Sequence, residues 1–265
     1  DTSVIRKMTD KIRHRGPDSQ DAFVEGKVGL GFVRLSIIDL EGGSQPMFNE
    51  DKNLVLIFNG ELYNFQDIRK ELVEAGHVFT THTDSEILLH GYEEWGKEGL
   101  LGRLRGMFAF VIFDRTKKTL FGARDHFGIK PFYYYHKDGT FLFGSEIKSF
   151  LAHPDFQKEL FEEKLPDFMT FGCIPGAETF FRNVYKLLPG HYFTYEEGRL
   201  TVSTYWEPTF DINENQTIES VADKLDGVLE DSVDKHIIAD VPVCSFLSSG
   251  VDSSYVAYEL KDKVD

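Results

Sequence analysis

The 265-residue sequence predicts a layered domain of mixed helix and strand, α+β or α/β in class, followed by the opening of a doubly wound α/β domain. Three observations predict it. Short runs rich in Phe, Val and Ile recur through the first two hundred residues, with helical patterns between them. A polar stretch, "YWEPTFDINENQT" (Tyr205–Thr217), then breaks the composition and reads as a linker. Beyond it come an amphipathic helical pattern, an apolar run and a serine–glycine turn opening a further helix, the order in which a doubly wound domain begins.

The strand candidates are "VGLGFVRLSIIDL" (Val28–Leu40), "LVLIFNG" (Leu54–Gly60), "MFAFVIFD" (Met107–Asp114) and "TLFGARD" (Thr119–Asp125). The last two, joined by "RTKK", predict a hairpin, and "PFYYYHKDGTFLFGS" predicts another around Asp138-Gly139, a dipeptide suited to a tight primed turn. Asn64 is placed to cap "FQDIRKELVEAG", where Ile68 and Leu72 share a face and Gly76 stops the run. Asp84 or Ser85 is placed to cap "EILLHGYEEWG". After the linker, Ile218, Val221, Ala222, Leu225, Val228 and Leu229 recur at helical spacing, and "VPVCSFL" (241–247) reads as a buried strand.

Composition excludes several classes. A net charge of −15 with no basic stripe argues against a nucleic-acid partner. No apolar run approaches the roughly 20 residues of a membrane helix, and no signal peptide is visible. The two cysteines, Cys173 and Cys244, form no spaced pair, which points to a reducing compartment and to small buried core residues rather than a disulfide framework. The nine histidines show neither HxxxH nor HExxH spacing, so the sequence does not indicate zinc.

Seven motifs occur in order: "RHRGPD" (Arg13–Asp18), "VRLSIID" (Val33–Asp39), "FNGELYN" (Phe58–Asn64), "THTDSEILL" (Thr81–Leu89), "GMFAFVIFD", "ARDHFGIKPFYY" (Ala123–Tyr134) and "SEIKSF" (Ser145–Phe150). Together they resemble the glutaminase domain of class II amidotransferases, which have the layered αββα fold of N-terminal-nucleophile hydrolases. Followed by "LSSGVDSS", they resemble glutamine-hydrolysing asparagine synthetases of the bacterial B type. The resemblance covers essentially the whole chain. It implies an amidotransferase domain over residues 1–205, a linker over 206–216 and the start of an ATP-binding synthetase domain over 217–265.

The resemblance also implies roles. Arg34 matches the residue that grips the α-carboxylate of glutamine, a task for which a planar pair of guanidinium donors is suited. Glu61 and Asp84 match the carboxylates that hold its α-ammonium. Asn59 and the backbone N–H of Gly60 match the oxyanion hole. The residues alone leave plainer readings open: Asn59-Gly60 as a strand-end turn, Asp84 as a helix cap, Glu61 as a solvated edge charge. Arg34, inside an apolar strand, needs an anionic partner on any reading.

The family's nucleophile is an N-terminal cysteine whose own amine is the general base. Asp1 aligns inside the domain, so the first strand and that cysteine are expected upstream of it. Residues 1–265 by themselves are then expected to lack glutaminase activity. In the second domain the family's Ser-Gly-Gly-x-Asp-Ser loop binds the pyrophosphate of ATP. Here Ser248, Gly250, Asp252 and Ser253 match, with Ser249 at the first glycine position. The resemblance makes Asp252 the Mg²⁺ ligand and puts the Leu247 backbone near adenine. For the whole protein it implies glutamine, aspartate and ATP as substrates, β-aspartyl-AMP as intermediate, a homodimer and a cytoplasmic location. Two rivals stand beside it. One is a relative of the β-lactam synthetase type, without the nucleophile, for which the glutamine residues would have no task; the other is a non-catalytic glutamine-binding module.

Overall fold

The computed structural model describes residues 1–39, 42–212 and 215–264. Leu40 at the end of the first strand candidate, residues 213 and 214 of the linker, and Asp265 lie outside the described residues. The chain forms two compact units, one of Asp1–Ser36 and Glu41–Glu207, the other of Ile37–Leu40 and Pro208–Asp265.

In the larger unit, helix α1 (Thr2–Asp10) is capped by the Asp1 carboxylate, which accepts from the Ser3 N–H at 2.8 Å. Strands β1 (Ser19–Glu25) and β2 (Val28–Arg34) form an antiparallel pair. β3 (Met47–Phe48), β4 (Leu54–Leu62), β5 (Gly106–Asp114), β6 (Thr119–Arg124), β10 (His191–Glu196) and β11 (Arg199–Thr204) make a six-stranded sheet in the order β11-β10-β6-β5-β4-β3. β7 (Tyr133–Lys137), β8 (Thr140–Gly144) and β9 (Val184–Lys186) make a third sheet in the order β8-β7-β9. Helices α2 (Phe65–Glu74) and α3 (Glu86–Leu101) follow β4, and the short α4 (Leu165–Phe171) precedes β9.

Alternation along the strands produces the layers. Val55 of β4, Ala109, Val111 and Phe113 of β5, Leu120 of β6 and Phe193 of β10 face a common core with Leu30 of β2 and, from β7 and β8, Tyr134, Phe141 and Phe143. On the outer face Tyr92 of α3 stacks on Phe121 at 5.6 Å between ring centroids. The three-stranded sheet packs its far side, Tyr135, Leu142 and Val184, on Met8 of α1 and Phe150. Helices, six-stranded sheet, smaller sheets and α1 thus stack as αββα, the arrangement the resemblance implies. Full burial of each such aromatic side chain contributes about 1.5–3 kcal/mol.

Both expected hairpins are present. Asp138 (φ 49°) and Gly139 (φ 77°) take the two left-handed positions of a primed turn. β2 ends at Arg34 and does not continue through "LSIID"; β4 runs two residues further than the apolar run, carrying Asn59, Gly60 and Glu61 inside the strand. Asn64 does stand at the N-cap of α2, but its side chain makes no cap bond. It spans instead to the Arg103 carbonyl (2.8 Å) and the Arg105 N–H (2.9 Å), tying α2 to the start of β5. Helix α3 runs past the expected Gly96, where the backbone kinks (φ 67°, ψ −169°).

The motif "ARDHFGIKPF" is organised by a buried carboxylate and a half-buried guanidinium. Asp125, 1% exposed, accepts from the N–H groups of Phe108, Phe127, Ile129 and Lys130 at 2.8–3.2 Å. Arg124 donates to the carbonyls of Lys130, Leu187 and Gly128. The following segment is fastened to the same loop: Tyr205 donates its hydroxyl to the Arg124 carbonyl, and Trp206 packs edge-on against His126 and Phe127.

In the smaller unit, α5 (Ile218–His236) is capped by Thr217, whose hydroxyl accepts from the Ser220 N–H. It pairs with α6 (Val251–Leu260) through Tyr255–Asp226 and Lys263–Asp234 contacts. The expected buried strand over 241–247 is instead an unpaired segment, with Phe246 97% exposed. A strand needs neighbours for its N–H and C=O groups, and among the described residues of this unit there is none. For the same reason Cys244 is exposed rather than buried. Cys173 is exposed as well, lying just past the left-handed Gly172 that ends α4 at the surface. No helix of the described residues is long and apolar enough to cross a membrane.

Replacing Asp125 by Ala would strand four N–H groups around a buried void. The expected loss is about 3 kcal/mol or more of unfolding free energy in denaturant titrations. A loss below about 1 kcal/mol would show that the loop does not depend on this carboxylate.

Candidate active site

Strand β4 carries the centre of the site. In the β4–β5 register Asn59 lies opposite Ala109, Gly60 opposite Phe108 and Glu61 opposite Met107. Alternation puts Asn59 on the same face as Val55 and Ile57, toward the space between the sheets. Its Nδ2 is buried and has no hydrogen-bond partner. Buried amide donors are nearly always paired, so a donor left open here points to an acceptor that arrives with a ligand. Gly60 is required by close approach: a Cβ there would lie 2.2 Å from the Met107 carbonyl oxygen.

Arg34, the last residue of β2, donates from Nη1 to the Gly42 carbonyl at 2.5 Å. Gly43 (φ 66°) lies against the same guanidinium, and a Cβ on it would sit 2.2 Å from the Thr83 methyl. Thr83 leads into Asp84, whose Oδ2 accepts from the Leu62 N–H at 2.8 Å, one residue along from Glu61. The turn after β2, the end of β4 and the start of α3 thus bring Arg34, Asp84 and Glu61 onto adjoining segments. Asp84 is not the cap of α3; Ser85 stands at that position without a side-chain cap bond, and the Asp84 carboxylate is spent on β4. Burial, reinforced by the nearby Glu61 charge, raises the Asp84 pKa from 3.8 to about 7.

A cavity of about 160 Å³ lies between the sheets, lined by Asn59 together with Gly29, Gly31 and Val33 of β2, Leu142, Phe143 and Gly144 of β8, Ile57 and Ala109 beneath, and Ile5 and Met8 of α1 above. Arg34, Glu61 and Asp84 do not line it. Arg15, from the "RHRGPD" motif, does. Burial lowers the pKa of Lys130, helped by the like charge of Arg15 and opposed by Glu61 and Asp125. Arg15 and Lys130 lie in the "RHRGPD" and "ARDHFGIKPFYY" motifs, and the sequence carries no signal that links them.

The residues over 1–206 match the family model described as "Glutamine amidotransferase domain". The chain belongs to that family. Residues 224–264 match the model described as "Asparagine synthase". Among curated relatives, the glutamine-hydrolyzing asparagine synthetase 1 of Bacillus subtilis is 42% identical over 98% of this chain and 41% of its own length. The glutamine-hydrolyzing asparagine synthetase 3 of the same organism is 39% identical over 96% of this chain and 41% of its own length. The chain therefore spans about two fifths of these relatives. Among solved structures, glutamine phosphoribosylpyrophosphate amidotransferase from B. subtilis, complexed with ADP and GMP, superposes with a TM-score of 0.56. It covers 99% of this chain and 62% of its own at 16% identity, and shows the amidotransferase fold alone.

The Ser248–Ser253 loop lies in the smaller unit. Ser253 closes it: its hydroxyl accepts from the Ser248 N–H at 3.1 Å and meets the Ser248 hydroxyl at 2.7 Å. Gly250 is the N-cap of α6 in an extended conformation, and no side chain caps the helix start. Asp252 lies in the first turn, and a helix start without a side-chain cap is an arrangement that suits phosphate oxygens. Ser249 is not among the positive-φ residues, so its replacement of glycine imposes no left-handed strain.

The raised Asp84 pKa sets a pH dependence with a definite sign. The folded amidotransferase domain binds this proton more tightly than the unfolded chain, so the contribution is fully present below pH 3.8 and is lost as pH rises through about 7. Relative to Asp84→Asn, the wild-type protein should lose up to about 4 kcal/mol of stability across that window. Parallel stability–pH curves for the two proteins would remove the shift.

Proposed function

We propose that the protein containing this chain is an ATP-dependent amidoligase that makes asparagine from aspartate with ammonia released from glutamine. The observation that carries the proposal is the open Asn59 Nδ2 buried beside the seam of the two sheets. The amidotransferase family match and the asparagine synthase match downstream support it.

Glutamine is held by its backbone groups. The Arg34 guanidinium, steadied by the Gly42 carbonyl, pairs with the α-carboxylate. Glu61 and Asp84 receive the α-ammonium, and a cation between them offsets the desolvation that raises Asp84. Attack on the side-chain amide builds negative charge on its oxygen, which Asn59 Nδ2 and the Gly60 N–H stabilise. Neither cysteine lines the cavity. The attacking thiol is assigned to the N-terminal cysteine of the full-length protein rather than to either of these. Among the described residues β2 pairs with β1 and β8 with β7, and residues of both strands line that cavity.

In the smaller unit, Ser248, Gly250, Ser253 and the first turn of α6 hold ATP phosphates, the Leu247 backbone lies by the adenine and Asp252 binds Mg²⁺. The unpaired helix start supports this fit. ATP, when bound, activates the aspartate side-chain carboxylate for attack by ammonia. A homodimer in the cytoplasm belongs to the same proposal.

The test is formation of asparagine, AMP and pyrophosphate from aspartate, glutamine and Mg-ATP by the full-length protein. Asn59→Ala should lower the glutaminase kcat about 100- to 1,000-fold while leaving ammonia-dependent synthesis intact. Arg34→Ala should act chiefly on the glutamine KM. Residues 1–265 alone should release no ammonia. A full-length protein that makes asparagine from ammonia but never from glutamine would overturn the glutamine half of the proposal.

A further inference from the structure

His90 lies on the buried side of α3 and is 1% exposed, yet neither of its ring nitrogens has a hydrogen-bond partner. Such a side chain is uncommon, and carboxylates surround it. Glu86 Oε1 is 3.6 Å from Nε2, while Glu93 Oε2 and Glu50 Oε1 lie 3.4 and 3.7 Å from Nδ1. A second imidazole, His77, packs beside it at 5.1 Å between centroids, with Glu94 Oε2 3.1 Å from its Nε2. Phe79 closes the ring face at 4.5 Å.

These groups come from three separate segments: Glu50 from the turn after β3, His77 from the loop after α2, and His90 from α3. One ligand atom from each of the three lies within 4.8 Å of the others. Glu86 is already committed, accepting from the N–H and hydroxyl groups of both Thr80 and Thr81 at 2.6–2.9 Å. A fixed carboxylate on the Nε2 side leaves Nδ1 turned toward Glu50 and Glu93, the orientation in which a carboxylate positions a metal-ligating histidine. Asn49 holds Glu93 in turn, donating at 2.7 Å.

We propose that Glu50, His77 and His90 form a binding site for a borderline divalent cation of the Zn²⁺ type, with Glu86 positioning His90. Two imidazoles and a carboxylate suit that class of ion, and Glu93 or water completes a tetrahedron. Bonds of about 2.0–2.2 Å bring ligand atoms closer than their present separation. Glu50, with a side chain 42% exposed, has the room to swing inward. The site is chemically independent of glutamine hydrolysis, and its failure would leave that reading untouched.

The test uses chelator-stripped full-length protein titrated with Zn²⁺ by calorimetry and with Co²⁺ by visible absorption. Expected are one site per chain at these residues, tetrahedral Co²⁺ bands and a raised thermal midpoint. His77→Gln and Glu50→Gln, both partly exposed and safe for folding, should each weaken Zn²⁺ binding at least about tenfold and remove the bands. Binding unchanged by both substitutions would overturn the proposal. So would a thiolate-to-cobalt charge-transfer band, which would put the ion on Cys173 or Cys244. No binding at all would overturn it equally.

Discussion

The antiparallel pairing of β4 with β5 is the constraint on which the rest of the larger unit depends. Nine residue pairs run from Leu54–Asp114 to Leu62–Gly106, and a slip of one residue would turn every side chain of β4 to the opposite face. Val55 and Ile57 would leave the core between the sheets, and Asn59 would leave the cavity. Gly60 allows that register to hold, since any side chain there would meet the Met107 carbonyl. Packing and chemistry are therefore fixed by one set of hydrogen bonds.

The neighbouring segments are then locked by groups that are polar, buried and fully used. Asp125 gathers four N–H groups and Arg124 three carbonyls, so the loop carrying Lys130 has its backbone satisfied without belonging to a sheet. Asp84 likewise joins distant segments, tying the second residue before α3 to the end of β4. Its carboxylate is left in a low-polarity setting where the charged form gains from a cation. That is the setting in which a bound ammonium is most strongly discriminated from a neutral group.

Much of this was legible in the sequence. Alternating apolar runs located β4, β5 and β6, and Asp138-Gly139 located the β7–β8 turn, because both signals are local. The family motifs carried Arg34, Asn59, Glu61 and Asp84. What was not legible depends on contacts between distant segments. Asn64 and Asp84 looked like caps, since cap preference is local, yet each bonds to a strand or loop tens of residues away. His77 and His90 are thirteen positions apart, a spacing without meaning until α2 and α3 fold beside each other. The apolar run at 241–247 read as a strand because hydrophobicity reports a tendency to be covered, not the presence of a partner to do it. α1 escaped the reading because its short pattern, Val4, Ile5 and Met8, is diluted by Arg6 and Lys7.

The gap between β2 and β8 has a consequence for how the molecule can be taken apart. Among the described residues β2 and β8 are each bonded to a single neighbouring strand, and both line a cavity together with β4, β5 and α1. Among the described residues the β1-β2 pair and the β8-β7-β9 sheet thus stand on either side of one cavity, with no strand ladder joining them. The two small sheets can therefore part along this seam without breaking a ladder bond, so a local opening there costs side-chain packing alone.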